Sequence, residues 1–213
     1  MQRVINFSGG KTSAYMTIQE YKPGDIVLFC DTMREHAKTY KFINDFEAFE
    51  NIPVTRISYE GGFTGMLKKH KALPNQFKRF CTIELKIKTA KRYLRSIGVR
   101  EFENLVGFRY DEPMRVSRRT QRFKKVHDKF PLYESKVTKQ IVNEYWSKKP
   151  YTLEIPSILG NCTLCFMKGK NAILAILREF PELADEWIND QNNLFKEFDL
   201  DNINPAYDCA CTT

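Results

Sequence analysis

Residues 3–19 read Arg-Val-Ile-Asn-Phe-Ser-Gly-Gly-Lys-Thr-Ser-Ala-Tyr-Met-Thr-Ile-Gln, and this stretch decides the fold. Val4, Ile5 and Phe7 form the short apolar run of a buried strand. Ser8, Gly9 and Gly10 interrupt it, and Lys11 to Gln19 reads as the opening of a helix. Glycine lets the backbone turn sharply and approach a ligand closely. The N–H groups of a helix's first turn have no partner within the helix and point at whatever lies there. Ser8, Thr12 and Ser13 add hydroxyls, and Lys11 adds a positive charge. The stretch therefore predicts a strand–turn–helix anion site suited to a polyphosphate.

Gly10-Lys11-Thr12 also ends like the G-x-x-x-x-G-K-[ST] loop, but that pattern needs glycine at position 5, where the chain has Ile5. Ser8-Gly9-Gly10-Lys11-Thr12-Ser13 instead resembles S-G-G-x-x-S, the PP-loop of the ATP pyrophosphatase superfamily.

Outward from the loop, Asp25 to Cys30 predicts a second buried strand, ending at Asp31-Thr32 after a Pro23-Gly24 turn. Tyr40, Ile43, Phe46 and Phe49 recur at helical spacing, which predicts an amphipathic helix over 36–50. Val54 to Tyr59 reads as a third strand and Glu60 to Gly65 as a flexible connection. Residues 83–96 read as a helix with Leu85, Ala90 and Leu94 inward, and Asn104 to Phe108 as a fourth strand. Alternating strands and helices predict an α/β, Rossmann-like parallel sheet with helices on both faces. In such sheets ligands bind beyond the carboxyl ends of the strands. Ser8, Asp31 and Arg109 each follow a strand and are expected to converge there. Lys11 and Arg109 would then face one ligand, with neither residue part of the core.

The expected division is a nucleotide-binding α/β domain over 1–130 and a helical, cysteine-containing appendage over 131–213. In the appendage a short helix around Val137 to Tyr145, a linker over 150–156, and helices over 168–180 and 182–189 are predicted.

The 213 residues carry a formal charge of +8, and 42% are hydrophobic, an ordinary globular value that argues against disorder. The longest apolar run, Ala172 to Leu177, is far too short to span a bilayer. The chain runs from Met1 straight into the first strand without a signal-peptide pattern, so a cytoplasmic protein is expected. Between Lys68 and Arg95 stand ten Lys or Arg residues against one acid, Glu84; between Arg115 and Lys129, seven against Asp128. Such segments on one face would attract a polyanion, so a nucleic acid is a candidate acceptor.

Past residue 100 the resemblance becomes more specific. Gly107-Phe108-Arg109-Tyr110-Asp111-Glu112-Pro113-Met114-Arg115 is similar to the G-x-R-x-x-E-x-x-R segment of the phosphoadenosine phosphosulfate (PAPS) reductase family. Asp31-Thr32, followed by Glu35 and Thr39, resembles another stretch of that family, and Arg79-Phe80-Cys81 with Leu85-Lys86 resembles its R-x-C-x-x-x-L-K segment. Phe130-Pro131-Leu132 and Cys162-x-x-Cys165 match later landmarks in the same order. The resemblance implies an adenine-nucleotide α-hydrolase-like fold that binds ATP, with magnesium, or a sulfonucleotide. Ser8, Gly9, Gly10, Lys11, Thr12 and Ser13 would hold phosphate, and Asp31 would sit near the nucleotide or its metal. Gly107, Arg109, Glu112 and Arg115 would close the other side, with Lys11, Asp31, Arg109 and Glu112 as the catalytic set. An arginine fork suits phosphate or sulfate oxygens.

Two departures from the pattern matter. Many ATP-cleaving members carry Asp where Thr12 stands. The reductases carry a Glu-Cys-Gly-x-His tail, whereas this chain ends Asp208-Cys209-Ala210-Cys211-Thr212-Thr213. The resemblance implies ATP α–β cleavage with adenylation of an acceptor, linked to sulfur transfer. A thiol-dependent sulfonucleotide reductase and a non-catalytic binding module are the alternatives.

Cys162, Cys165, Cys209 and Cys211 form two close pairs that could supply four thiolates, with Cys81 as a further candidate. Four thiolates suit a [4Fe–4S] cluster or structural zinc, and a free dithiol or disulfide is the remaining alternative. Iron–sulfur clusters in sulfur-handling relatives favour the first. Cys30 lies in an apolar strand and is expected to be buried. His36, His70 and His127 show no ligand spacing.

Overall fold

The computed structural model describes residues 1–75, 77–119, 124–156, 158–160 and 164–194. The described chain gathers into two compact units. The first comprises Met1–Cys30, Ala37–Ile57 and Ala90–Glu154, and the second Asp31–His36, Ser58–Thr89 and the chain from Ile155 onward.

The first unit is built on a sheet of β1 (Gln2–Asn6), β2 (Ile26–Asp31), β3 (Thr55–Ser58), β4 (Phe102–Leu105) and β5 (Val126–Lys129). The strand order is β3-β2-β1-β4-β5, and β1 pairs in parallel with both β2 and β4. β4 pairs in parallel with β5, so the expected parallel α/β sheet is observed. Alternation along the strands sends successive side chains to opposite faces. Ile5, Phe7, Val27 and Phe29 pack in one core with residues of α1 (Lys11–Glu20) and α2 (Ala37–Glu50). That core also takes Leu132 from α6 (Pro131–Glu134) and Val142 and Trp146 from α7 (Lys139–Ser147). Val4, Leu28 and Phe102 pack on the other face with Leu94 of α4 (Thr89–Ser96). Burial on both faces is why β1 and β2 read as continuous apolar runs.

Three features differ from expectation. The fourth strand spans Phe102–Leu105, slightly earlier than the apolar run suggests. β5, Val-His-Asp-Lys, is an edge strand with no apolar run to announce it. Cys30 is only partly buried.

In the second unit, the segment expected to be a flexible connection instead enters α3 (Gly62–His70). Gly61 takes a left-handed turn at φ 70°, and a Cβ on Gly65 would lie 2.4 Å from the Glu60 carbonyl oxygen. The glycines are there for close backbone approach, and Phe63, Met66 and Leu67 bury the inner face. A π-helix (Thr82–Lys88) precedes α4, and Leu85 from it joins the α3 core. Its Glu84 is buried, and both Lys88 Nζ (2.7 Å) and Lys69 Nζ (3.2 Å) donate to it. The hydrogen bond from Lys88, then the hydrogen bond and charge of Lys69 and the charge of Lys88, hold its carboxyl below the usual range against the opposing effect of burial. α8 (Lys170–Glu179) and α9 (Leu183–Leu194) supply Ile176 and Trp187 to a further apolar cluster with Leu159 and Leu164. Arg34 pairs with the buried Asp190 of α9, and Thr64 of α3 donates to the same carboxylate at 3.2 Å. No described helix is long and apolar enough to cross a membrane.

Candidate phosphate site

The loop after β1 is held by its own hydroxyls. Phe7 N–H still follows the sheet, donating to Leu28 at 3.0 Å. The chain then turns at Gly9, with φ +74°, and α1 opens after Gly10. Ser13 Oγ accepts from Ser8 N–H at 3.0 Å and donates to the Gly10 carbonyl at 2.9 Å. Its single proton is thereby committed, so the 2.9 Å contact between the two serine hydroxyls has Ser8 Oγ as donor. Ser13 and Thr12 are both buried. No side chain caps the amino end of α1 and no acid stands in its first turn. The positive end of the helix dipole is therefore left for an external anion. From 135 residues away, Trp146 Nε1 donates to the Lys11 carbonyl at 2.9 Å and pins the first turn from behind. Nothing in the sequence distinguishes this tryptophan from an ordinary core residue.

A Cβ on Gly9 would stand 2.6 Å from Thr39 Cγ2. Gly9→Ala is expected to cost about 2 kcal/mol through left-handed strain and overpacking, measured by urea unfolding. Thr39→Ser, which deletes the opposed methyl, should restore part of it. An unchanged midpoint in Gly9→Ala would refute the geometry of the turn.

The second segment approaches from the carboxyl end of β4. Gly107 lies against α1: a Cβ there would reach Ser13 Cα at 3.7 Å, an ordinary contact. Arg109 is 5% exposed, and its guanidinium donates to Thr12 Oγ1 at 3.2 Å, 97 residues away in sequence. It also donates to Asp111 at 2.9 Å and pairs with Glu112 at 3.6 Å. Burial disfavours the Asp111 carboxylate, but the hydrogen bond and charge of Arg109 outweigh it and hold the carboxyl below its usual range. Arg115 donates to Glu112 at 2.5 Å and lies over the Phe108 ring at 4.3 Å, and Phe108 stacks on Phe130. These residues come from the turn before α5 (Pro113–Ser117) and from α5 itself. The structure thus brings Thr12 and Ser13 together with Gly107, Arg109, Glu112 and Arg115. The expectation that Arg109 lies outside the core is corrected: its guanidinium is buried because three polar partners surround it. Asp111, which the sequence reading passed over, is one of them.

Asp31 ends β2, belongs to the second unit, and accepts the Met33 N–H at 2.7 Å. Cys81 and Cys165 are both in the second unit, and burial, followed by the charge of Cys165, pushes the Cys81 thiol up. Cys162, Cys209 and Cys211 lie outside the described residues. Among the described residues no three His, Cys, Asp or Glu side chains gather as a metal site.

A parallel sheet whose first strand feeds a Ser-Gly-Gly loop and an uncapped helix defines a Rossmann-like PP-loop fold. The chain belongs to the phosphoadenosine phosphosulfate reductase domain family, which matches residues 2–151. The crystal structure of PAPS reductase from Candida auris, a phosphate complex, is similar in fold. The likeness has a TM-score of 0.50 at 17% identity, covering 71% of this chain and 76% of that one. The nin region protein ORF290 of Escherichia phage lambda is 29% identical over 205 residues, 81% of this chain and 68% of that protein. Protein MJ0066 of Methanocaldococcus jannaschii is 26% identical over 200 residues. The match covers 87% of this chain but only 40% of that protein.

Proposed function

We propose that the chain binds an adenine nucleotide and cleaves ATP between its α and β phosphates, adenylating an acceptor in chemistry linked to sulfur transfer. The observation that carries this reading is the hydrogen bond between Arg109 and Thr12, which joins the phosphate loop to the Gly107–Arg115 segment. In the proposed reaction the open N–H groups of α1, with Lys11, bind the phosphates. Arg109 stabilises charge as it builds on the α-phosphate, and Glu112 with Asp111 orients Arg109. Magnesium, when bound, would neutralise phosphate charge. Position 12 offers it a hydroxyl rather than a carboxylate, and the motif resemblance alone implies Asp31 as its carboxylate.

Cys165, with Cys162, Cys209 and Cys211, would supply the four thiolates of a [4Fe–4S] cluster or of structural zinc, with Cys81 as the alternative ligand. The thiol-dependent reductase is the second reading, favoured by the family itself. Pyrophosphate release from ATP with magnesium and candidate acceptors is the expected outcome. Incubation with PAPS separates the alternative: a sulfite adduct on a cysteine, seen by mass spectrometry, with no pyrophosphate release, would replace adenylation by reduction. ATP binding without either product would leave a binding module.

A further inference from the structure

A cavity lined by cations stands at the opposite end of the same sheet. Phe102 and Val126 open β4 and β5 and form the floor of a cavity of about 310 Å³ together with Leu94 and Val99. Five cations line it: Lys91 and Arg95 from α4, Arg100 from the turn before β4, and Lys124 and Lys125 from the turn before β5. Among the described residues, none that lines it is acidic. The neighbouring carboxylates face other partners: Glu101 lies 3.0 Å from His127 Nε2, and Asp128 accepts from Arg119 at 2.8 Å. All of these residues belong to the first unit.

The phosphate loop leaves the carboxyl end of β1, whereas this cavity opens at the amino ends of β4 and β5. Strands of four residues separate the two edges by about 13 Å. The cavity is therefore not part of the nucleotide's phosphate site. Five like charges from three chain segments converge on one cavity and make it a positive focus for an anion. Lys91 shows the effect: burial, reinforced by Arg95, pulls its ammonium below the usual lysine range. Cations arranged over an apolar floor match a ligand that alternates charge with apolar surface, as a sugar–phosphate backbone does.

We infer that this cavity binds the backbone of a nucleic acid, positioning it on the first unit independently of base sequence. The assignment would give the proposed adenylation an acceptor class, but it rests on the cavity alone.

The test is fluorescence anisotropy with the full chain and a labelled single-stranded oligonucleotide about 20 nucleotides long, longer than a typical single-domain site. The parent should bind with affinity that falls steeply with salt. Arg95→Ala/Lys125→Ala should weaken binding at least about tenfold at low salt and lower the salt slope by about 1.4, for two lost phosphate contacts. Arg95→Lys/Lys125→Arg should keep both, and ATP affinity by calorimetry should be unchanged in either double variant. Lys11→Ala, which loses ATP under the proposed function, should keep the oligonucleotide. Failure of ATP binding with this pattern intact would sink the nucleotide reading and leave this one standing. Oligonucleotide affinity and salt slope equal in parent and Arg95→Ala/Lys125→Ala would overturn it. So would a parent whose cavity takes inorganic phosphate or ATP but no oligonucleotide.

Discussion

Replacing Arg109 by Ala is expected to weaken ATP binding by about 1.5–3 kcal/mol, the range for hydrogen bonds to charged groups, and to destabilise the fold as well. The second effect follows from burial. Arg109 is 5% exposed and satisfies Thr12, Asp111 and Glu112 together. Removing it leaves Glu112 with Arg115 and leaves Asp111 to solvent, since the Asp111 side chain is 40% exposed. The stability loss should therefore fall at the low end for a broken buried pair, about 3 kcal/mol. Calorimetry with ATP and urea unfolding measure the two separately. Arg109→Lys keeps the charge but not the planar fork, so it should recover part of the stability and little of the affinity. Lys11→Ala should lose affinity alone, because Lys11 is only partly buried. The double variant Lys11→Ala/Arg109→Ala should lose less than the sum, since both are proposed to hold one ligand. Unchanged affinity in both single variants would move the phosphate site elsewhere. Unchanged stability in Arg109→Ala would contradict the buried geometry.

What could be read in advance, and what could not, follows from the kind of force at each place. β1 and β2 are buried on both faces, and Val4, Ile5, Val27, Leu28 and Phe29 announce it as continuous apolar runs. The glycine turn and the helix after it were legible because only a few residue types permit a left-handed residue such as Gly9. β5 was not legible: its Val-His-Asp-Lys is held by backbone pairing with β4 and by the polar contacts of Asp128, which leave no hydrophobic period. α3 was misread because Gly62 and Gly65 are poor helix formers, and tertiary packing of Phe63, Met66 and Leu67 overrides that preference. Within the candidate site, the motif residues were legible but the burial of Arg109 was not. Arginine is mostly a surface residue, and only its pairing with Asp111, Glu112 and Thr12 turns it inward. The hydrogen bond from Trp146 to the loop spans 135 residues and leaves no local signal at all.

Glu35, which the sequence marks only as a motif neighbour, is a carboxyl with one oxygen shut off from solvent. Its Oε1 accepts from Thr32 Oγ1 at 2.9 Å, while Oε2 is shut off from solvent with no hydrogen-bond partner among the described residues. Burial pushes the carboxyl up to about 7. Lys86 of the π-helix, the Thr32 hydroxyl and Lys168 pull it back, and Asp31 adds to the rise. A carboxyl raised in the folded state binds its proton more tightly there than in the unfolded chain. Its contribution to stability is then complete below the unfolded value of 4.5 and is lost as pH climbs through about 7. The shift corresponds to a loss on the order of 3 kcal/mol between pH 5 and 8. Glu35→Gln, which cannot ionise, should remove this limb. Urea unfolding of parent and variant across that range is the measurement. Groups common to both proteins cancel, so the difference between the two curves isolates Glu35. The parent should lose stability relative to Glu35→Gln as pH rises from the unfolded value, and the difference should level off above the folded value. Parallel curves would mean that Glu35 is ionised throughout, stabilised by Lys86 and Lys168 more strongly than burial opposes it.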